Sequence, residues 1–239
     1  MSEKQIKKIV LAYSGGLDTT VILHWLKNKY DAEVIVFTAD IGQDHDPVLV
    51  RDRAASIGAS KIIIEDLKEE FTKDYIFPMF KANTLYEGEY LLGTSIARPL
   101  ISKRLVEIAE KEGADAIAHG ATGKGNDQIR FEIGSYSLNP DIQVIAPWRT
   151  WEYSSRADLV DYCKLHQIEI DASPDEPLYS TDENLLHTSY EGEVLEDPSI
   201  EAPAEIWQRT VAPIDAPDAA QVISIDFKQG EPTSIDGID

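Results

Sequence analysis

The sequence is poor in cysteine, in basic side chains and in long apolar runs. Cys163 is the only cysteine among 239 residues, which excludes a disulfide within the chain and a metal cluster built on cysteine. We therefore expect a reducing, cytoplasmic location. No apolar stretch approaches the roughly 20 residues of a membrane span, and the N-terminal segment lacks the pattern of a signal peptide.

Basic residues are outnumbered, 22 against 43 acidic ones, which gives a net charge of −21. The imbalance is uneven, because residues 1–170 contain 20 basic and 26 acidic side chains whereas residues 171–239 contain 2 and 17. Such a surface repels phosphate backbones and anionic lipids. We expect neither nucleic acid nor membrane as a partner.

What the sequence does contain is a regular alternation of apolar runs and helical patterns. The predicted strands cover 7–13, 33–40, 61–65, 115–119 and 143–147, and the predicted helices cover 19–30, 47–57, 67–86, 96–112 and 154–167. Strands that are apolar throughout and alternate with helices indicate a parallel sheet with helices on both faces. We predict an α/β, Rossmann-like fold, with ligands bound beyond the carboxyl ends of the strands.

The pattern changes after about residue 170. Residues 171–220 are rich in Pro, Asp, Glu and Ser and lack a clean period, whereas 221–227 alternate like a half-buried strand. The last residues, 228–239, read as a turn and an unfinished strand, which cannot bury a face alone. We predict one complete domain over 1–168 and part of a second, α+β domain over 169–239, and expect that second domain to be truncated.

The strongest local signal is the segment AYSGGLDTT, residues 12–20, which follows a strand and opens a helix. Glycines let the backbone approach a ligand, and Ser14, Thr19 and Thr20 add hydroxyl donors. A helix N-terminus adds free N–H groups and the positive end of the helix dipole. The segment suits a pyrophosphate without a Walker-type lysine. A plain strand–helix turn is the alternative.

Two further segments concentrate polar side chains. HGATGKGNDQIRFE, residues 119–132, could bind a small zwitterion as well as phosphate, because Arg130 can pair with a carboxylate and Asp127 with an ammonium group. A polar surface loop is its alternative. EYLLGTSIARP, residues 89–99, ends at a helix start, where Thr94 or Ser95 is a plausible N-cap.

SGGLD resembles the PP-loop of the ATP pyrophosphatases, which include several synthetases and tRNA-modifying enzymes. Five motifs in order closely resemble argininosuccinate synthetase: AYSGGLDT, FTADIGQ (37–43), EYLLGTSIARP, HGATGKGNDQIRFE and STDENLLHTSYEG (180–192). Thr20 is one departure, since the family usually has serine there, but the hydroxyl is retained. The resemblance implies a PP-loop nucleotide-binding domain of the adenine nucleotide alpha-hydrolase type, followed by part of a synthetase domain.

The resemblance also implies an activity. The family is an ATP-dependent ligase that joins citrulline to aspartate through a citrullyl-adenylate and releases AMP and pyrophosphate, in arginine biosynthesis. ATP would come with Mg²⁺ as co-substrate, without a tightly bound organic cofactor. The resemblance assigns no side chain as acid or base, and the direct metal ligands stay unknown.

Carried over by motif, the implied site has three parts. The ATP site comprises Ala12, Tyr13, Ser14, Gly15, Gly16, Leu17, Asp18, Thr19, Thr20, Ala39 and Gly120. The citrulline site comprises Tyr90, Ser95, Asn126, Arg130, Ser180 and Ser189. The aspartate site comprises Thr122, Asn126 and Asp127, with Lys124 near the phosphates.

Members of the family are longer than this chain. Their C-terminal part adds a glutamate and a tyrosine to the citrulline site and builds a homotetramer. Two alternatives stay open. A tRNA-modifying PP-loop enzyme would need a basic face or extra cysteines, and neither is present. The chain alone could also be a non-catalytic nucleotide-binding fragment.

Overall fold

The structure is a computed structural model that describes residues 5–123, 125–169 and 180–238. A five-stranded parallel sheet with strand order β3-β2-β1-β4-β5 forms its centre. The strands are β1 (Lys8–Ala12), β2 (Glu33–Asp40), β3 (Lys61–Asp66), β4 (Ala116–Ala118) and β5 (Gln143–Ile145). The predicted α/β fold with a parallel sheet is confirmed.

Helices cover both faces of this sheet. They are α1 (Leu17–Tyr30), α2 (Pro47–Ile57), α3 (Lys68–Phe71), α4 (Phe77–Lys81), α5 (Gly93–Glu112), α6 (Asn126–Leu138) and α7 (Arg156–His166). Alternate residues along each strand enter opposite layers, so that Ile9 and Leu11 pack with α1 and α7, whereas Val10 packs with α5 and α6. The sheet therefore separates two apolar layers, and its strands are buried on both sides.

The structure corrects two predicted helices. The predicted helix over 67–86 is α3, a π-helical turn (Thr72–Ile76) and α4, and it ends at Lys81. Helix α5 begins at Gly93, so Thr94 and Ser95 lie in its first turn and Leu92 is the N-cap residue. The N-cap prediction for those two residues is therefore wrong. Pro99 lies six residues inside α5, beyond the first turn where proline is favourable.

Helix α6 is absent from the predicted elements. Its sequence NDQIRFEIGSYSL is mostly polar, and only Phe131 and Ser135 are buried. A helix with so narrow an apolar face gives little periodic signal. Residues 126–132, interpreted as part of a polar loop, are therefore the first two turns of a helix.

The described residues after 179 form two small antiparallel sheets. One is the hairpin of β6 (Ser180–Glu183) and β7 (Thr188–Glu191), and the other pairs β8 (Ile225–Lys228) with β9 (Glu231–Ile235). The predicted strand over 221–227 is thus shorter and shifted toward the C-terminus. The domain boundary between residues 168 and 169 stays a prediction. Among the described helices, none is long and apolar enough to cross a bilayer.

Candidate functional site

The predicted ATP loop begins where β1 ends, at the carboxyl edge of the sheet. The backbone N–H of Tyr13 donates to the Phe37 carbonyl of β2 over 2.8 Å. The buried Thr38 hydroxyl donates to the Tyr13 carbonyl over 2.6 Å. Two bonds from the neighbouring strand therefore fix the direction in which the chain leaves β1.

Hydroxyl groups hold the loop between β1 and α1. Ser14 Oγ lies 3.1 Å from Thr19 Oγ1 and accepts from the Gly16 N–H over 3.3 Å. Tyr13 Oη lies 3.1 Å from Thr20 Oγ1, which explains why a hydroxyl is useful at position 20. Within the described part of the chain, no side chain caps the start of α1 at Gly16. Its first N–H groups are therefore available to an anion.

Gly15 shows why this loop needs glycine. Its φ of +82° lies in the left-handed region, and an added Cβ would come 3.1 Å from Val50 Cγ2 of α2. The guanidinium of Arg53, also on α2, donates to the Gly15 carbonyl. A positive charge thus lies beside the loop in a chain whose overall charge is strongly negative.

Asp18 is the one carboxylate of the loop, in the first turn of α1. Burial raises the pKa of Asp18, and the positive charge of Arg156 opposes that rise. The half-buried carboxylate lies in the first turn, at the positive end of the α1 dipole.

The loop after β4 packs against the ATP loop at Gly120. A Cβ on Gly120 would lie 3.1 Å from Thr19 Cγ2 and 3.4 Å from Ile22 Cδ1 of α1. This close approach joins the two segments that carry the predicted ATP and amino-acid residues. Ala39 is the penultimate residue of the neighbouring strand β2, and its carbonyl accepts from Gln43 Nε2 over 2.7 Å.

His119 precedes Gly120 and carries no sequence-predicted role. The side chain is buried, its ring stacks on Phe131 at 4.8 Å between centroids, and Nδ1 accepts from the Ala121 N–H over 3.2 Å. Burial, reinforced by the charge of Arg149, lowers the pKa of His119 to about 4. Its Nε2 has no hydrogen-bond partner among the described residues. The neutral His119 ring therefore holds the loop after β4 by accepting from the Ala121 N–H.

Asp127 lies between two arginines at the start of α6. Arg98 Nε donates to Asp127 Oδ2 over 2.7 Å, and Arg130 donates to Oδ1 over 2.7 Å. The Arg98 side chain is only 19% exposed and lies in α5. Both oxygens of Asp127 are thus oriented by charge-assisted bonds, which are stronger than neutral ones. Sequence reasoning predicted Asp127 and Arg130 but not Arg98, although Arg98 lies inside a quoted motif.

The same arginine reaches the β6–β7 hairpin. Arg98 Nη2 donates to Asp182 Oδ1 over 3.0 Å. In the antiparallel register Asp182 lies opposite Ser189, and Ser180 lies two residues before Asp182. These three side chains share one face of the hairpin, because alternate residues of a strand point to the same side. Ser180 and Ser189 therefore lie on the face that contacts α5.

Tyr90 and Ser95 flank the start of α5. The Tyr90 ring meets the His187 ring edge to face at 5.1 Å between centroids. The Gly93 N–H donates to His187 Nε2 over 2.7 Å. The hairpin turn thus contacts the segment that carries both predicted residues, a contact that sequence reasoning missed.

The predicted residues therefore gather along one edge of the sheet, with the ATP loop at one end and the hairpin at the other. Thr122 lies beside the start of α6, with its Oγ1 3.5 Å from the place of a Cβ on Gly125, the N-cap residue of that helix. Asn126 is the first residue of α6. Lys124 lies outside the described residues. The roles of the individual side chains stay predictions.

Comparison with known sequences shows the family to which the chain belongs. Residues 8–169 match the family described as Arginosuccinate synthase N-terminal HUP domain, and residues 179–239 match Arginosuccinate synthase C-terminal domain. The chain resembles three proteins named argininosuccinate synthase. That of Caulobacter vibrioides (strain NA1000 / CB15N) is 59% identical over 100% of this chain and 59% of the relative. That of Dinoroseobacter shibae is 62% identical over 97% and 57%, and that of Helicobacter hepaticus 59% identical over 97% and 58%.

The chain thus spans a little under three fifths of the length of these relatives. Both parts of the family are matched in the order in which the fold presents them, the parallel-sheet part first. On these grounds, the chain belongs to the argininosuccinate synthase family.

Proposed function

We propose that this chain carries the nucleotide site and much of the amino-acid site of an ATP-dependent ligase that joins citrulline to aspartate. The observation that carries the proposal is the contact of Gly120 with Thr19. It brings a loop suited to pyrophosphate next to a loop suited to amino acids. Such proximity is what a reaction between ATP and an amino acid requires.

The reaction proceeds in two steps. The ureido oxygen of citrulline attacks the α-phosphorus of ATP, an oxygen–phosphorus bond forms, and the bond to the β-phosphate breaks to release pyrophosphate. The aspartate amine then attacks the activated carbon, a nitrogen–carbon bond forms, and AMP leaves with the oxygen. The amine gives up its proton to solvent or phosphate, because no side chain of the site is assigned as acid or base.

The chain's own contribution is to orient the reactants and to offset their charge. The uncapped start of α1 and the hydroxyls of Ser14 and Thr19 face the phosphates. Arg53 adds a positive charge at the loop. Asp127 is suited to the aspartate ammonium, and Arg130 to the citrulline carboxylate.

Magnesium would arrive with ATP. The oxygen-rich loop, with two hydroxyls and the half-buried carboxylate of Asp18, fits a hard cation that keeps several waters. In that role Mg²⁺ would neutralise the phosphates, and the backbone N–H groups of the loop would orient them.

The test is to incubate the chain with ATP, Mg²⁺ and citrulline and to measure citrulline-dependent exchange of labelled pyrophosphate into ATP. Exchange that needs citrulline but not aspartate supports the adenylate step. Aspartate should then produce AMP and argininosuccinate. ATP binding without exchange would identify a nucleotide-binding fragment, and release stimulated by tRNA instead would favour another PP-loop enzyme.

A pair of variants separates the two steps. Asp127→Asn keeps the shape of the side chain but removes the charge for the aspartate ammonium and weakens the bonds to Arg98 and Arg130. We therefore expect argininosuccinate formation to fall about 100-fold and citrulline-dependent exchange to fall less. Asp161→Asn, on the exposed face of α7, is the matched control and should change neither step. Equal loss of both steps in Asp127→Asn would contradict the assignment.

The remaining parts of the proposal concern partners and location. A homotetramer and a cytoplasmic location are expected for the whole protein. The net charge of −21 argues against nucleic acid and anionic membranes as partners. Sedimentation of the full-length protein tests the oligomeric part directly.

A further inference from the structure

His187 lies at the end of a tight turn that joins β6 to β7. The turn is held by Asn184, the buried residue whose side-chain oxygen accepts from the Leu186 N–H over 3.0 Å. The Asn184 N–H donates to the His187 carbonyl over 3.1 Å, and the Leu185 N–H donates to the Ile41 carbonyl over 2.8 Å. The turn is thus fixed both internally and against the end of β2. These bonds hold the backbone of His187 in a fixed position relative to the sheet.

The His187 ring meets the start of α5 at a position where only glycine fits. A Cβ on Gly93 would lie 2.6 Å from the ring carbon and nitrogen of His187 and 2.9 Å from Asn184 Oδ1. The Gly93 N–H donates to His187 Nε2 over 2.7 Å. Because an N–H can only donate, Nε2 must carry its lone pair, and the imidazole is neutral.

This hydrogen bond serves a helix end that otherwise lacks a side-chain cap. Leu92, the N-cap residue of α5, has a φ of +62° and makes no capping bond among the described residues. An imidazole from the hairpin therefore accepts from one of the first free N–H groups of a 20-residue helix. Protonation would remove the acceptor and set a cation at the positive end of the helix dipole.

The same ring also contacts the predicted citrulline residue Tyr90, edge to face at 5.1 Å. Tyr90 is 37% exposed. Two hydrogen bonds with Tyr86 hold its backbone, and the contact with His187 limits the motion of its ring. Ser95 lies two residues after Gly93 in the first turn of α5. The His187 imidazole thus contacts Tyr90 directly and contacts the first turn of α5, in which Ser95 lies.

We propose that neutral His187 is a positioning residue that fastens the β6–β7 turn to the start of α5 and holds Tyr90 in place for citrulline. The proposal rests on the proposed function. It makes citrulline binding sensitive to acid through a residue outside the predicted contact set.

The charged and polar groups around His187 set the direction of this sensitivity. Burial lowers the pKa of His187, and Arg209 acts in the same sense. The Asp182 carboxylate and a hydrogen bond with the Thr188 backbone act against it. The neutral form of His187 is therefore favoured in the fold. The stabilisation that it gives to the contact between the β6–β7 turn and α5 is fully present above the ordinary histidine pKa near 6.5. It is lost as the pH falls below that value.

The first measurement needs no ligand. We would follow hydrogen exchange at the Gly93 amide by NMR, expressed as a protection factor so that the intrinsic pH dependence cancels. His187→Phe keeps a ring but removes the acceptor, and should lower protection about tenfold at pH 7.5. His187→Gln places an amide oxygen near the position of Nε2, and should restore protection to within about threefold and keep it at pH 5.5, where the wild type loses it.

The second measurement is citrulline affinity in the presence of a non-hydrolysable ATP analogue. Wild-type affinity should fall about tenfold between pH 7.5 and 5.5, whereas His187→Gln should show little change over that range. His187→Phe should bind citrulline weakly at both pH values. Affinity for the ATP analogue should be the same in all three, which shows that the fold is intact.

The outcomes separate the inference from the function on which it rests. If the wild-type chain binds no citrulline, the proposed function of the chain fails, and the Gly93 protection factors still decide whether His187 fastens the turn. If the wild type binds citrulline but His187→Phe binds it equally well, the positioning role is wrong. Unchanged Gly93 protection in His187→Phe would overturn the contact itself.

Discussion

The two regions of the chain differ in how they are held together. The region before residue 170 has two apolar layers on either side of a parallel sheet, with residues such as Leu11, Phe37 and Leu100 almost fully buried. Among the described residues after 179, Asn184 alone is buried, while Ile214 and Phe227 are 92% and 64% exposed. The first region thus has its own core, and the second depends on contacts with the first.

The contacts between the two regions concentrate on the β6–β7 hairpin, where Leu186 packs against the core of the first region and polar groups add hydrogen bonds. Arg98 binds Asp182, the Gly93 N–H binds His187, and Arg209 donates to the Gly42 carbonyl over 3.0 Å. By contrast, the β8–β9 sheet contacts the first region through the ion pair of Lys81 with Glu231. A ligand bound between α5, α6 and the hairpin would therefore contact the part of the second region that has the most bonds to the first region.

The largest difference between the regions should appear when phenylalanines are truncated. Phe37→Ala removes a ring that is 1% exposed within the core, and should lower the free energy of unfolding by about 3–5 kcal/mol. Phe227→Ala, the matched change in β8, should cost less than about 1 kcal/mol because its ring is already in water. Urea denaturation followed by circular dichroism measures both. Similar losses at the two sites would contradict the division into a core and a dependent region.

Acid should act on the first region through His119. Its pKa is about 4 in the fold against 6.5 in the unfolded chain, so between these values the unfolded state binds the extra proton. Stability is therefore complete above pH 6.5 and declines as the pH falls toward 4, by an amount on the order of 3 kcal/mol.

The control is His119→Asn, whose amide oxygen can replace Nδ1 as acceptor for the Ala121 N–H while it cannot titrate. Urea denaturation at pH 7 and at pH 4.5 should show a smaller loss in this variant than in the wild type. Equal pH dependence in the two proteins would show that His119 is not the group responsible.

The junction of the two regions should weaken when Arg98 is replaced. Arg98→Met leaves the carboxylates of Asp127 and Asp182 without their shared partner, and we expect a loss of about 2–3 kcal/mol, below the cost for a fully buried pair because Arg98 is 19% exposed. Lys164→Met, which breaks an ion pair whose side chains are 73% and 76% exposed, should change stability by less than about 0.5 kcal/mol. Thermal unfolding of both variants checks the contrast. No difference between them would mean that Arg98 does not join the regions.

The sequence predicts the first region well because its strands are apolar throughout and because glycines mark the turn between its first strand and first helix. The sheet and its parallel sense follow from these patterns. Helix α6 does not, since its exposed, polar sequence has little period. Neither does the start of α5 at Gly93, whose N–H donates to an imidazole 94 residues away. The roles of Arg98 and His187 also come from contacts distant in sequence, which no local pattern reports.

The smallest effect tests the fit of the hairpin against β2. Gly42 has a φ of +93°, and a Cβ there would come 2.5 Å from Leu185 Cγ, whereas Gly88 has a φ of +81° and nothing described within 4 Å. Alanine at either position should cost about 1 kcal/mol of backbone strain, but Gly42→Ala should also displace the turn. We expect hydrogen exchange to rise over 180–191 in Gly42→Ala only, by about fivefold. Equal exchange in the two variants would mean that the turn is not seated on Gly42, and that this contact with the end of β2 does not hold the hairpin.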